Sequence, residues 1–174
     1  SGRNWESQRT FFPECKDQIT FICDNGAFIM HKGEPFFISE LKTDLWKAVA
    51  KKCSTYGPEC GAIICGVNGT YMIQNSVIQP AVSQFYSEVR YVDDFDAVED
   101  QVFKVSVCYL QGTEGALFRD FHSCFSEQAN LVCAHPLFMD VMNLGINKAT
   151  GVSLLQQSLG LSAEETMAFG DYNN

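Results

Sequence analysis

The sequence predicts an α/β protein in which an antiparallel α+β module interrupts the material of a parallel sheet. Near the start, residues 19–23 (ITFIC) form a continuous apolar, β-branched run, which is typical of a strand buried on both faces. Near the end, a helical pattern from residue 148 precedes a second apolar run at 166–171 (TMAFGD), and a helix followed by a strand is half of a parallel crossover. The segments between these ends predict hairpins, so we interpret the middle as an insertion.

The N-terminal segment predicts a short helix, a strand and a hairpin. Residues 1–14 (SGRNWESQRTFFPE) combine a polar turn with a helical stretch that Pro13 helps to end. After the strand at 19–23, two apolar runs flank Lys32-Gly33, which predicts a hairpin.

The middle of the chain, about residues 40–142, predicts an antiparallel sheet with helices on one face. Ser39 is placed to cap a helix that runs to about residue 53. Residues 61–74 (GAIICGVNGTYMIQ) predict a hairpin that turns at Asn68-Gly69. The helix carries a stripe of apolar residues with a period of four: Leu41, Leu45, Val49 and Cys53.

The second half of this module predicts further strands and one helix. Residues 86–100 carry six acids and one arginine, and we interpret them as a solvated helix or loop rather than a cation site. The strands are QVFKVSVCYL (101–110), NLVCA (130–134) and FMDVMN (138–143), and residues 115–128 predict a helix. One face of that helix carries Leu117, Phe121, Cys124 and Phe125.

The C-terminal segment predicts a helix, a turn and a strand. Gly160 is placed to close the helix. Ser162 and Glu165 predict a capping box that starts a short helical turn, and the strand TMAFGD follows. The apolar positions of the helix are Val152, Leu155 and Leu159.

Composition argues against some partners. The formal net charge of −9 is unsuited to the phosphate backbone of nucleic acids, which needs clustered Lys and Arg. No signal segment opens the chain and no apolar run approaches the ~20 residues of a membrane span, so we expect no membrane partner. The eight cysteines form no C-x-x-C pair, which favours buried, reduced thiols in the cytoplasm over a disulfide framework or a zinc site. The oligomeric state is left open.

Three short stretches carry groups that suit phosphoryl chemistry. They are SGR (1–3), NK (147–148) and GDYNN (170–174). A hydroxyl with backbone amides, a lysine at a helix start and a carboxylate at a strand tip can together hold a phosphoryl group and Mg²⁺. Each stretch alone is structural in most proteins, so the inference depends on their combination.

The order and spacing of these stretches resemble the haloacid-dehalogenase superfamily of phosphohydrolases, in its Cof-like branch with an α/β cap between the second and third motifs. SGR resembles the second motif, and FICDNGAFIM (21–30) resembles the strand and Asn-Gly-Ala turn that lead into the cap. FMDVMNLGINKATGVSLLQQSLGL (138–161) resembles the return strand and the third-motif lysine. MAFGDYNN (167–174) resembles the fourth motif, Gly-Asp-x-x-Asn-Asp, without its final Asp.

This resemblance covers essentially the whole chain and implies its domain organisation. It implies a partial Rossmann-like core formed by residues 1–39 and 143–174, with an α+β cap domain of antiparallel sheet and helices inserted at 40–142.

The resemblance also implies roles for individual residues. Ser1 and Gly2 would bind the phosphoryl group, and Lys148 would neutralise the charges of the nucleophile and the phosphoryl oxygens. Asp171 would bind Mg²⁺ directly, and Asn174 would support its loop. The alternatives are a helix-capping role for Ser1 and an ordinary solvent-exposed lysine at 148. Asn25 is a candidate substrate contact, although its place before glycine is equally explained by a tight turn.

Two departures from the family pattern affect the site. Ala149 follows the lysine where the family usually has glycine. The family's nucleophile is the first Asp of an Asp-x-Asp motif after a buried strand, and Asp94 and Asp96 have this spacing but lie in the acidic segment. We therefore expect the nucleophile to lie outside this chain, and the 174 residues alone to be an inactive fragment of a larger hydrolase.

The function implied is that of a Mg²⁺-dependent phosphatase that acts on small phosphorylated metabolites, with sugar phosphates as the leading class, through an aspartyl-phosphate. The alternative is a binding or regulatory module that keeps the cap fold without turnover.

Overall fold

The computed structural model describes residues 1–169, and the elements below lie within this range. The helices are α1 (Trp5–Arg9), α2 (Thr43–Cys53), α3 (Gln79–Val82), α4 (Ala116–Phe125) and α5 (Lys148–Leu159). The strands are β1 (Thr20–Cys23), β2 (Phe28–His31), β3 (Glu34–Ile38), β4 (Cys60–Gly66), β5 (Thr70–Ile73), β6 (Arg90–Val92), β7 (Val102–Tyr109), β8 (Ala129–His135) and β9 (Phe138–Asn143).

The strands form two sheets. The first is antiparallel with the order β1-β2-β3, and the second has the order β6-β5-β4-β7-β9-β8. Both predicted hairpins are confirmed, because β2 pairs with β3 across Lys32-Gly33 and β4 pairs with β5 across Asn68-Gly69. The second sheet is not wholly antiparallel as expected, since β6 runs parallel to β5. β6 lies in the acidic segment, where the short run Arg90–Val92 carries Tyr and Val, which suit a pleated strand.

Each face of the six-stranded sheet is covered by a separate hydrophobic cluster. The first cluster packs α2 and α4 onto one face and includes Val49 of α2, Phe121 of α4 and Val107 of β7. It confirms the predicted stripe, since Leu41, Leu45, Val49 and Cys53 are all buried. The second cluster joins the opposite face to the three-stranded sheet, where Phe28 stacks on Phe103 with ring centroids 5.1 Å apart. The two sheets therefore share a core.

Ser39 does not cap α2, which begins at Thr43 with Lys42 at the N-cap position. The Ser39 N–H donates to Ala27 O over 2.9 Å, and the Leu41 N–H donates to Val102 O over 2.7 Å. Because these bonds hold the backbone against the two sheets, the chain cannot turn into a helix before they end.

The predicted helix at 115–128 is confirmed as α4, but Cys124 is exposed rather than on its buried face. The buried residues of α4 are spaced four apart and are Leu117, Phe121 and Phe125. Three residues beyond Phe121, Cys124 lies off this stripe and faces solvent.

The first strand is buried on alternate positions rather than on both faces. Phe21 and Cys23 are buried, whereas Thr20 and Ile22 are half-buried. β1 is an edge strand of its sheet, and only the face towards the second cluster is fully covered.

The predicted strand TMAFGD is wrong over its described part. Residues 166–169 are not in a strand, and Phe169 is 91% exposed, while Gly170 and Asp171 lie outside the described residues. A strand needs a neighbour for its N–H and C=O groups, and the described residues place none beside this run.

α5 and its C-terminal cap are confirmed, with Gly160 in the left-handed conformation at φ 67°. Its apolar positions are not a buried stripe, however, because Val152 and Leu159 are exposed and only Gly151 is buried. Only half of the predicted capping box forms, because the Ser162 N–H donates to Glu165 Oε2 over 2.9 Å. A turn follows Ser162 rather than a helix.

The domain boundaries at 39/40 and 142/143 stay predictions. All eight cysteines are free thiols. Over residues 1–169, none of the helices combines the length and the apolar character that crossing a membrane requires.

Candidate active site

A cavity of about 420 Å³ opens between the N-terminal residues, the start of α5 and the second face of the six-stranded sheet. Ser1, Gly2 and Lys148, three of the residues predicted for the site, line this cavity. Its other wall is formed by side chains of β7, β8 and β9 and of the segment after α3. The structure therefore brings the predicted phosphoryl-binding residues to one side of a ligand-sized space.

Backbone hydrogen bonds hold residues 1–3 beside the end of β1. The Asn25 N–H donates to Ser1 O over 2.9 Å, and the Asp24 N–H donates to Arg3 O over 3.0 Å. The Ser1 hydroxyl accepts from the Arg3 N–H at 3.1 Å. Ser1 does not cap α1, because Asn4 Oδ1 takes that role by accepting from the Ser7 N–H.

Lys148 is the first residue of α5, and a capping box fixes the start of this helix. Asn147 Oδ1 accepts from the Thr150 N–H at 3.0 Å, and Thr150 Oγ1 accepts from the Asn147 N–H at 2.9 Å. Lys148 is half-buried at the cavity wall. A glycine does occur near the lysine, at position 151, where an added Cβ would lie 2.8 Å from Ile22 Cγ2. Close packing of α5 on β1 therefore depends on Gly151 rather than on position 149.

The turn Asp24–Gly26 brings the end of β1 against the start of α5. All three residues have positive φ, with values of 48°, 54° and 97°. A Cβ on Gly26 would lie 2.3 Å from Asn147 O, so only glycine allows this approach. Positive φ at non-glycine residues is uncommon and is held here by the surrounding contacts.

Asn25 packs against residues 1–3, the second-motif segment, and does not line the cavity. A Cβ added to Gly2 would lie 3.2 Å from Asn25 Oδ1, and Asn25 is absent from the cavity wall. The proposed substrate contact of Asn25 stays a prediction.

The opposite wall contains three polar side chains that we did not single out in the sequence: Lys104, Ser106 and Asp140. All three are almost fully buried, and Ser106 on β7 is directly paired in register with Asp140 on β9. Lys104 Nζ lies 2.6 Å from Asp24 Oδ1 and 3.5 Å from Asp140 Oδ2. Among the described residues, Asp24 Oδ2 has no hydrogen-bond partner.

Charge on this wall is set by burial and by ion pairing. Burial acts to lower the pKa of Lys104, but the carboxylates of Asp140 and Asp24 outweigh it, so the pKa lies well above the ordinary lysine value. Burial raises the pKa of Asp24, against the opposing effect of the Lys104 cation. Lys104 therefore remains an ammonium at physiological pH.

A signal for these residues is present in the sequence. In β7 the side chains of Val105 and Val107 point to the helices, whereas Lys104 and Ser106 point to the other face. A charged and a hydroxyl side chain at alternate positions of an otherwise apolar strand are rarely buried without a purpose.

A family model for haloacid dehalogenase-like hydrolases matches residues 1–174. The chain belongs to this family. The chain is 28% identical, over its whole length, to 65% of the 5-amino-6-(5-phospho-D-ribitylamino)uracil phosphatase YbjI of Escherichia coli strain K12. The predicted family is thereby confirmed.

Solved structures show the same fold. A crystal structure from Eubacterium rectale superimposes with a TM-score of 0.84 at 21% identity, covering 99% of this chain and 66% of that one. The sugar phosphatase BT4131, of haloacid dehalogenase subclass IIB, superimposes with a TM-score of 0.76 at 17% identity, covering 94% of this chain and 62% of BT4131. The predicted α/β fold class is confirmed, and the chain spans about two thirds of these relatives.

The metal expected in haloacid dehalogenase-like phosphatases has no complete set of ligands among the described residues. Within residues 1–169, no three His, Cys, Asp or Glu side chains are grouped closely enough to hold a metal ion. Asp171, the predicted ligand, and Asn174 lie outside the described residues.

Proposed function

We propose that the protein is a phosphatase of small phosphorylated metabolites. The observation that carries this proposal is the convergence of Ser1, Gly2 and Lys148 on one cavity whose far wall belongs to the predicted cap. Membership of the haloacid dehalogenase-like hydrolases and the similarity to the phosphatase YbjI support it.

The phosphoryl group would bind at the Ser1–Lys148 side of the cavity. The Ser1 hydroxyl and nearby backbone N–H groups would donate to phosphoryl oxygens, and Lys148 would balance their negative charge. An aspartate would attack phosphorus and displace the alcohol, and water would then release phosphate from the aspartyl-phosphate. We propose Mg²⁺ as the cofactor, with Asp171 as its ligand.

We propose that neither Asp94 nor Asp96 is the nucleophile of this reaction. The Asp-x-Asp pair at 94 and 96 occupies a surface turn, where Asp94 Oδ1 accepts from the Asp96 N–H at 2.9 Å. The Asp96 carboxylate is paired with Lys47, and neither aspartate lines the cavity.

The size of the cavity supports a metabolite as the substrate. About 420 Å³ lies within the range of small-molecule sites, which is roughly 300–1,000 Å³. We propose sugar phosphates as the leading class, and the substrate in the name of YbjI carries a phosphorylated ribityl chain. Eight free cysteines support action in the cytoplasm, and the charge of −9 argues against a nucleic-acid partner.

The test is a phosphate-release assay of the full-length protein on a panel of phosphorylated metabolites, with Mg²⁺ and again with a chelator. We expect release with Mg²⁺ and its loss with the chelator. If no ester is hydrolysed, including simple aryl phosphates, the assignment is wrong. Metabolite binding without release would support the alternative of a regulatory module.

A further inference from the structure

Two cysteine thiols meet where α2 ends and β4 begins. Cys53 is the last residue of α2, Cys60 is the first residue of β4, and both belong to the first cluster. Their side chains are hydrogen-bonded to each other, and both are free thiols. The connection between them, residues 54–59, is short, so the pair forms within one local segment of the chain.

A second cavity, of about 480 Å³, gives small molecules access to this pair. Cys53 and Cys60 both line it, and so do Ser54, Gly57 and Pro58 of the connection, which are exposed to solvent. Cys53 is 1% exposed and Cys60 is 4% exposed, so the open surface offers no direct approach to the sulfur atoms. A reagent must therefore be small enough to enter the cavity.

The two sulfur atoms differ in reactivity because their surroundings differ. The Cys53 thiol donates to the Cys60 sulfur, which lowers the pKa of Cys60 against the opposing effect of burial, and the Gly61 N–H adds a second hydrogen bond. The same thiol–thiol bond, together with burial, raises the pKa of Cys53 well above the ordinary cysteine value. The negative end of the α2 dipole also disfavours a thiolate at Cys53. Cys60 is therefore the better nucleophile.

Two other buried cysteines lack this arrangement. Burial raises the pKa of Cys65 and of Cys108 to about 12, so neither forms a thiolate readily. Both belong to the second cluster, on the opposite face of the six-stranded sheet, and neither lines the second cavity. The contact, the access and the more acidic thiol are combined at Cys53 and Cys60.

We propose that Cys53 and Cys60 are a redox-active dithiol, which a hydroperoxide that enters the second cavity oxidises to a disulfide. The Cys60 thiolate attacks one peroxide oxygen and breaks the O–O bond, so that Cys60 becomes a sulfenic acid and the other oxygen leaves as an alcohol or, from hydrogen peroxide, as water. The Cys53 sulfur then displaces the sulfenic hydroxyl as water, loses its proton and forms the S–S bond. The two thiols lose two electrons and two hydrogen atoms, and the peroxide is reduced.

This site is independent of the proposed phosphatase function. The second cavity shares no lining residue with the cavity that contains Ser1 and Lys148. Oxidation is measured by mass, so the test does not require phosphate release.

The test treats the reduced, folded full-length protein with hydrogen peroxide, alkylates the remaining thiols and maps the peptides. Cleavage after Glu59 separates the two cysteines, so a linked pair of peptides that dithiothreitol separates identifies the bond. Fragmentation of the linked peptides distinguishes Cys60 from Cys65, which lies on the same peptide. We expect the Cys53–Cys60 bond in most molecules before Cys108 loses its free thiol.

Variants assign the roles of the two sulfur atoms. Cys53→Ala should abolish the disulfide and leave Cys60 as a sulfenic acid that dimedone labels. Cys60→Ala should abolish the disulfide without dimedone labelling of Cys53. Cys108→Ala is the matched control at another buried cysteine, and it should keep the Cys53–Cys60 bond. Circular dichroism establishes that each variant is folded, and the wild-type peptide map decides the proposal even if a variant is not.

Three results would overturn the proposal. The first is retention of free thiols at Cys53 and Cys60 while the exposed Cys124 is oxidised. The second is a disulfide that joins Cys60 to Cys108. The third is dimedone labelling of Cys53 in Cys60→Ala without labelling of Cys60 in Cys53→Ala, which would contradict the assignment of Cys60 as the nucleophile.

Discussion

Lys104 is a lysine with 2% of its surface exposed, held between Asp24 and Asp140. It ties β7 to the turn after β1 and to β9. A buried ion pair gains little net stability over an apolar core, but removal of one partner leaves uncompensated charge. The contribution of Lys104 therefore depends on both carboxylates.

Lys104→Met should destabilise the protein by about 3–5 kcal/mol, because two buried carboxylates lose their cation. Urea denaturation at neutral pH measures the change. The control is Lys51→Met on the exposed face of α2, which should change the free energy of unfolding by roughly 0.5 kcal/mol or less. Similar small losses in both variants would contradict the importance of the buried pair.

The pH dependence of this contribution has a defined sign. Because the pKa of Lys104 is raised in the folded protein, its stabilisation is fully present below the ordinary lysine value of 10.5. It is lost as the pH rises through the higher folded pKa. Above neutral pH, the difference in unfolding free energy between wild type and Lys104→Met should therefore shrink only in strongly alkaline solution, and shrinkage between pH 7 and about 9 would contradict the assignment.

At the scale of elements, the site depends on the approach of α5 to the turn after β1. Gly26 permits this approach for two reasons. Its φ is positive, and it has no Cβ that would collide with Asn147 O. The position of Lys148 at the cavity follows from this contact.

Gly26→Ala should lower both stability and phosphatase turnover, because the methyl group would collide with Asn147 O and push α5 away. Gly112→Ala is the matched control: its φ is also 97°, but the nearest atom to an added Cβ is 3.8 Å away. The control should show only the backbone strain of about 1–2 kcal/mol and keep turnover. Equal effects of the two substitutions on turnover would show that the contact between Gly26 and α5 does not position the site.

Local patterns in the sequence predict most elements, but not the contacts between them. The α2 stripe and the glycine turns are signals within a few residues, and they are confirmed. Ser39 fails as a cap because hydrogen bonds to Ala27 and Val102 hold the preceding backbone. TMAFGD fails over 166–169 because a strand requires a neighbour that its own residues do not specify.

The residues of the candidate site also differ in whether local sequence patterns or contacts between elements reveal them. Ser1, Gly2 and Lys148 are found from motif order, and the structure places them on one cavity. Lys104 requires knowledge of register, since its partners are distant in sequence and meet it only once the sheets are packed. The sequence indicates the importance of Lys104 only by placing a charged residue inside an apolar strand.

At the scale of the whole molecule, the second cluster joins the two sheets into one folding unit. Phe28 is 4% exposed and stacks on Phe103, and Phe21 and Met30 pack into the same cluster. The wall of the cavity on the six-stranded sheet and the turn after β1 therefore depend on each other for stability.

Phe28→Ala should destabilise the protein by about 3–5 kcal/mol, whereas Phe36→Ala on the exposed side of β3 should change stability by less than about 1 kcal/mol. Amide hydrogen exchange should show protection lost together in residues 21–30 and 102–109. Selective loss in 21–30, with full protection in 102–109, would mean that the sheets unfold independently.

The most direct measurement of the central claim, that the cavity is a phosphatase site, is the turnover of Lys148→Ala in the full-length protein with Mg²⁺. Loss of a cation that stabilises phosphoryl charge should lower kcat by roughly two to three orders of magnitude while the free energy of unfolding changes little. Lys51→Ala, on the exposed face of α2, should retain wild-type turnover. Wild-type turnover in Lys148→Ala would contradict the claim.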